Sequence, residues 1–167
     1  MPASSSPPSP SPRSDTPLLP RVGCGAAILH ADRLLLVLRR RNPEADHWGL
    51  PGGKLDPYET VADATIREIA EELGIAITLT RLLCVVDQID RARSTHWVAP
   101  VFLAAIRDGA PAIQEPDALA DWGWFPLTAL PAPLTEATRQ ALAALTPGPL
   151  SRYRTAPPAP VAGYGRN

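Results

Sequence analysis

Cysteine is scarce in this chain, and the two copies exclude more than they suggest. Cys24 and Cys84 each stand alone in apolar, strand-like segments, with no partner at metal-ligand spacing. That pattern excludes a disulfide framework and a cysteine-based metal site, and reads as two buried thiols in a reducing compartment, hence the cytoplasm. An excess of charge of one sign is also missing. The formal net charge is −1, which gives no electrostatic basis for binding nucleic acid or an acidic membrane. No uninterrupted apolar run approaches the length of a membrane-spanning helix, and the opening residues lack the apolar centre of an export signal.

Proline, by contrast, is abundant, with 21 copies concentrated toward the two ends. Residues 1–20 are almost entirely Ser, Pro and small residues. Such a stretch cannot bury enough apolar surface to offset its ordering entropy, so it reads as a disordered tail. The Pro- and Gly-rich end, 147–167, reads as a second flexible tail. What remains, 21–146, is about one domain long.

Within that domain, aliphatic runs from Arg21 to Leu29 and from Arg33 to Leu38 flank His30-Ala31-Asp32, a hairpin pattern. A loop runs from Asn42 to Trp48. Later strands are expected over Leu79–Ile89, His96–Ile106 and Trp122–Phe125, with a loop from Arg107 to Leu119 and an amphipathic helix over Leu134–Leu145. Pro100 suggests an edge strand or a bulge, because it cannot donate to a ladder. Strands before and after one helix, with a second helix late, predict an α/β domain with a mixed sheet packed between helices.

The first helix carries the chemistry. Ala62, Ile66, Ile69, Ala70 and Leu73 recur at one-face spacing and predict the core stripe. Glu68, Glu71 and Glu72, at i, i+3 and i+4, project together from another face. Gly74 fits the left-handed position just past a helix end, while Gly53 and Pro57 fit the loop that enters the helix. Carboxylates packed this closely repel one another, and a hard divalent cation is the usual remedy.

From Gly53 to Ile75 the chain fills every fixed position of glycine-x5-Glu-x7-Arg-Glu-aliphatic-x-Glu-Glu-x-Gly-aliphatic, with Glu59, Arg67, Glu68, Ile69, Glu71, Glu72 and Gly74 in place. Chance supplies such a match on the order of once in a billion windows. The segment resembles the Nudix box. The resemblance implies the Nudix α/β/α sandwich and hydrolysis of a diphosphate bridge with magnesium, or manganese in its stead. It implies that Glu68, Glu71 and Glu72 are metal ligands, joined by the backbone carbonyl of Gly52, with glycines at 52 and 53 letting the backbone approach ion and substrate closely. Arg67 and Glu59 are expected to support the acids without touching metal. The general base is Glu68 or a glutamate on a later loop, for which Glu115 is the candidate. A phosphate clamp is expected among Arg39, Arg40 and Arg41, with Arg39 first, and Trp48 is placed to stack on a base. Trp124 and Phe125 are expected in the core, and His47 and His96 as surface or hydrogen-bonded residues.

The resemblance also bears on substrate. The downstream proline typical of ADP-ribose-cleaving members is missing, since none occurs before Pro100. What remains looks like the MutT-type branch, acting on a nucleoside triphosphate, oxidised ones included, to give monophosphate and pyrophosphate. An ADP-ribose or nucleotide-sugar substrate is the alternative within the enzyme class, and a non-catalytic nucleotide sensor the alternative outside it. A homodimer follows by family analogy alone. One departure is Tyr58, where glycine commonly precedes the box glutamate.

Overall fold

Four consecutive aliphatics, Leu34 to Val37, are each no more than 2% exposed. A strand achieves this only when both of its faces are covered. A computed structural model, which describes residues 19–145, supplies the cover. Apart from Leu19 and Pro20, the two expected tails lie outside the described residues.

In chain order the elements are β1 (Arg21–Val22), β2 (Gly25–His30), β3 (Arg33–Arg39), β4 (Trp48–Gly49), α1 (Val61–Leu73), β5 (Ala76–Asp90), β6 (Thr95–Asp108), β7 (Leu119–Pro126) and α2 (Glu136–Leu145). They form a mixed sheet. β6 lies parallel to β1 and β2, while β2–β3, β3–β4, β3–β7 and β5–β6 pair antiparallel. Alternate residues of the central strands serve opposite layers. Ala26, Ile28, Leu35 and Val37 pack with Ile69 and Leu73 of α1. Ala27, Leu34 and Leu36 pack instead with Leu134 and with Leu142 of α2. This is the expected α/β/α arrangement.

Three local expectations are corrected. The run from Arg21 to Leu29 is two strands, with Gly23 and Cys24 between them. β6 is an interior strand, not an edge, although the β5–β6 register shifts beside Pro100, between Leu82 and Cys84, as the bulge alternative expected. Pro100 is accommodated because β1 pairs with Trp97 and Val98 whereas β2 begins at Val101, so the missing N–H falls between two partners. The buried side of α1 is also rotated from the predicted stripe. Ala64, Thr65, Ile69, Glu72 and Leu73 are buried, while Ile66 and Ala70 are exposed. The Thr65 hydroxyl donates to the Val61 carbonyl at 2.7 Å, which lets a polar residue sit inside.

Candidate active site

α1 begins where Thr60 accepts from the Asp63 N–H and ends where Gly74 adopts φ 67°, returning its own N–H to the Ala70 carbonyl. These caps fix the helix against the glycine loop before it. Gly52 has φ 143°, and a side chain there would run into the Cys24 carbonyl and lie 2.6 Å from the Gly25 Cα. A side chain on Gly53 would occupy the space filled by the Glu68 carboxylate. The loop therefore lies directly against the strand on one side and the acids on the other.

The acids divide into two groups. Arg67 forks onto Glu59, its Nη2 donating to Oε1 at 2.6 Å and its Nε to Oε2 at 3.1 Å. Its Nη1 donates to Glu68 at 3.0 Å and to Glu71 at 2.9 Å. Glu59 in turn accepts from the Asp56 N–H at 2.6 Å, tying the loop to the helix. Arg67 holds Glu59 below the ordinary carboxylate range, and the same contacts, Glu59 first, push the guanidinium further up. Glu72 does not join this surface group as the spacing suggested. It is 7% exposed and accepts from the Gly52 N–H at 2.9 Å. Burial pushes its carboxyl up to about 8. The Gly52 hydrogen bond and Arg39 oppose that rise, and the charges of Glu68 and Glu115 add to it.

A cavity of about 510 Å³ opens over this group, lined among others by Gly52, Gly53, Glu68, Glu72, Glu115 and Arg39. Arg39, at the end of β3, has a buried Nε with no hydrogen-bond partner among the described residues, an uncommitted donor of the kind an anion satisfies. Arg40 is turned elsewhere, its Nε donating to the Leu119 carbonyl at 3.4 Å. Arg41 stands in the cavity wall beside Asn42, Pro43 and Glu44. Glu44 anchors that wall by accepting from the Glu136 N–H at 2.8 Å, at the start of α2. Glu115 sits in a loop held to α1 by the neighbouring Gln114 N–H, which donates to the Glu72 carbonyl at 2.9 Å.

Trp48 is not brought to the cavity. Its ring meets Phe125 edge on, centroids 4.8 Å apart, in the cluster that includes Leu134. The aromatic that does line the cavity is Trp97, with Gln88 beside it. Neither was singled out in the sequence. The register that puts them together, Gln88 opposite Trp97 across β5 and β6, joins residues from two strands and has no local signature. Trp124 and Phe125 belong to the core clusters. His47 bonds the Ala45 carbonyl and His96 faces Asp87, so both are hydrogen-bonded residues. Tyr58, where glycine is usual, is fully exposed with φ 70°. The backbone thus keeps the left-handed turn even with a side chain on it.

Among the described residues, no three His, Cys, Asp or Glu side chains already stand around one point in ligating positions. Arg67 and the Gly52 N–H hold the acids instead. The donor chemistry nonetheless fits a hard divalent ion. The candidate donors are all oxygens, and one is a buried carboxyl whose charge is costly without a cation. In addition, no hydrogen bond among the described residues ends on the Gly52 carbonyl, although Pro51 and Gly53 accept from Ala26 and Cys24.

A family model described as the NUDIX domain matches residues 19–145. The crystal structure of a MutT NUDIX hydrolase from Burkholderia pseudomallei superposes with a TM-score of 0.75 at 58% identity, covering 77% of this chain and 99% of that one. The 8-oxo-dGDP phosphatase NUDT18 of Homo sapiens is 35% identical over 105 residues, which is 62% of this chain but 31% of that protein. The ADP-ribose pyrophosphatase of Methanocaldococcus jannaschii is 32% identical over 114 residues, 68% of this chain and 66% of that enzyme. The chain thus spans about a third of the human relative and about two thirds of the archaeal one.

Proposed function

The chain belongs to the Nudix family, and from that premise we propose that it is a cytoplasmic, magnesium-dependent pyrophosphohydrolase of small nucleotides, with manganese as the substitute ion. Its substrate is a nucleoside diphosphate linked to a further group. A nucleoside triphosphate, cleaved to monophosphate and pyrophosphate, is the first reading. The observation that carries it is the meeting in one cavity of Glu68, Glu72 and Glu115 with a buried, unpartnered Arg39 donor.

Glu68, Glu71 and Glu72, with the Gly52 carbonyl, would hold the ion. When bound, the ion withdraws charge from the phosphate oxygens and lowers the pKa of the attacking water. Arg39 binds the phosphate chain, and glycine at 53 leaves room for the Glu68 carboxylate against the loop. Arg67, seated on Glu59, orients Glu68 and Glu71. Glu68 or Glu115 takes the proton as the water oxygen bonds to phosphorus and the bridging P–O bond breaks, releasing the remaining phosphate group.

A second reading, cleavage of ADP-ribose to AMP and ribose phosphate, is favoured by the name of the archaeal relative. Incubating the purified chain and Glu72→Gln with magnesium and a panel of nucleoside di- and triphosphates, oxidised nucleotides, ADP-ribose and nucleotide sugars separates the two. Monophosphate and pyrophosphate from triphosphates, lost in the variant, support the first reading. AMP and ribose phosphate support the second. No magnesium-dependent product from any substrate refutes both and leaves an untested substrate or the sensor, which ligand-induced thermal shifts separate.

A further inference from the structure

One wall of the cavity is built from alternate residues of β6, Trp97, Ala99 and Val101, whose side chains share a face of the sheet. Trp97 is half-buried, and among the described residues that line the cavity it is the one aromatic. Its neighbours on both adjoining strands are in direct register. Arg21 of β1 pairs with it and sets its guanidinium 5.5 Å from the ring centroid. Gln88 of β5 pairs with it from the other side. The cation–π contact holds the indole in place. No hydrogen bond among the described residues engages the Gln88 side-chain amide, which therefore keeps both its donor and acceptor capacity for a ligand.

The wall also lies at a useful distance from the acids. The point where a Gly23 side chain would begin is 3.7 Å from Trp97 Cε3 and 3.2 Å from the Gly53 carbonyl oxygen. Gly53 in turn abuts the Glu68 carboxylate. The indole edge thus lies within about 7 Å of the Gly53 carbonyl oxygen, close enough for a base on the indole and phosphates beside the acids to belong to one nucleotide.

We infer that Trp97 and Gln88 form the nucleobase subsite, the base stacking on the indole and its polar edge bonding the Gln88 amide, with Arg21 positioning the ring. This rests on the reading of the substrate as a nucleotide but is indifferent to its leaving group. A triphosphate and ADP-ribose would place their bases alike. Base–aromatic stacking tolerates any base, so discrimination falls to Gln88, whose amide can both donate and accept.

The test is equilibrium binding to the full chain, with magnesium, of the α,β-methylene analogues of ATP and GTP and of inorganic triphosphate. Trp97→Leu is expected to weaken the two nucleotides about tenfold and leave inorganic triphosphate unchanged. Trp97→Phe should recover most of the loss, and Gln88→Ala should change the ratio between the two bases. A parallel loss for inorganic triphosphate in Trp97→Leu, or a wild-type chain that does not prefer nucleotides over it, overturns the subsite. Hydrolysis is scored separately. Turnover of nucleotides with KM unchanged in Trp97→Leu removes the subsite and leaves the function. Base-dependent binding without turnover removes the function and leaves the subsite.

Discussion

The Glu68 carboxylate fills the space into which a side chain on Gly53 would grow. Gly53→Ala therefore displaces the end of a flexible side chain, not backbone. The variant should fold, losing less than about 1 kcal/mol, but a misplaced carboxylate should cut kcat/KM roughly 100-fold. Gly52→Ala is the contrasting case. A φ of 143° and overlap with the Cys24 and Gly25 backbone leave nothing that can yield, and the expected cost is at least about 2 kcal/mol. Thermal melts beside kinetics distinguish the two. Equal losses of stability would show that Glu68 and the loop are not arranged this way.

Arg67 is a hub that Lys cannot replace. Its Nε and Nη2 grip Glu59 while Nη1 serves Glu68 and Glu71. An ammonium lacks that planar fork. Arg67→Lys should lower kcat about 10- to 100-fold and raise the magnesium concentration needed for half-maximal rate. Arg67 also holds Glu59 below its ordinary pKa, so the contact stabilises the fold above the unfolded pKa and fades as pH falls through the folded one. The difference in Tm between wild type and variant should shrink in acid. A difference that grows there would contradict the assignment.

How far the sequence carried this site depends on distance along the chain. The cap at Gly74, the entry glycines and the Arg67–Glu59 relation lie within one helix and its loop, where position locates the cap and the turn and the box resemblance supplies the role of Arg67. Tertiary burial was not legible. Periodicity put Glu72 with the surface acids and Ile66 in the core, yet Glu72 is buried and Ile66 is 39% exposed. The Gly52 N–H, which Glu72 turns inward to meet, compensates that burial. The same limit explains Trp48. Its position just before the glycine turn suggested a stacking role, but the β4 pairing with β3 turns it onto Phe125. Trp97 reaches the cavity through the pairing of β6 with β1 and β2 and meets Gln88 through the β5–β6 register, with no nearby motif to mark it.

Glu115 provides a direct test of the loop candidate for general base. Its charge contributes to the raised pKa of Glu72, and it lines the cavity. Glu115→Gln keeps the size and removes the base. A fall in kcat of about 100-fold with KM nearly unchanged supports it as proton acceptor. Unchanged turnover and magnesium dependence would remove it from the chemistry and leave Glu68.

Arg39 should act on binding before chemistry. Its buried Nε has no partner among the described residues, so Arg39→Gln leaves less to satisfy internally and removes a phosphate donor. KM for nucleotide should rise about tenfold or more, with a smaller effect on kcat. Arg39 also lowers the Glu72 pKa. Without it that carboxyl climbs further, and in EDTA the pH at which Tm declines should move higher. A rise in KM with the metal-free pH dependence of Tm fixed would mean that Arg39 meets phosphate but does not sense Glu72.

Glu72 makes the metal-free protein itself pH-sensitive. Its carboxyl rises from 4.5 to about 8 in the fold, chiefly through burial. Between those values the folded chain holds a proton that the unfolded chain has released, so stability falls as pH rises. The contribution is fully present below about 4.5 and is lost through about 8, a few kcal/mol at most. The lowered carboxyls, Glu59, Asp90 and Glu136, act in the opposite direction and in more acid solution, and the raised thiols Cys24 and Cys84 act in more alkaline solution. In EDTA, the wild-type Tm should therefore decline from about pH 5.5 to about pH 8.5, and Glu72→Gln, whose amide oxygen still accepts from Gly52, should flatten that slope. Magnesium, which favours the charged carboxylate, should recover stability most at the alkaline end in wild type and little in the variant. A metal-free Tm that does not change with pH would mean that Glu72 is charged in the fold without a cation, and the case for a divalent ion at this carboxylate would lose its strongest physical support.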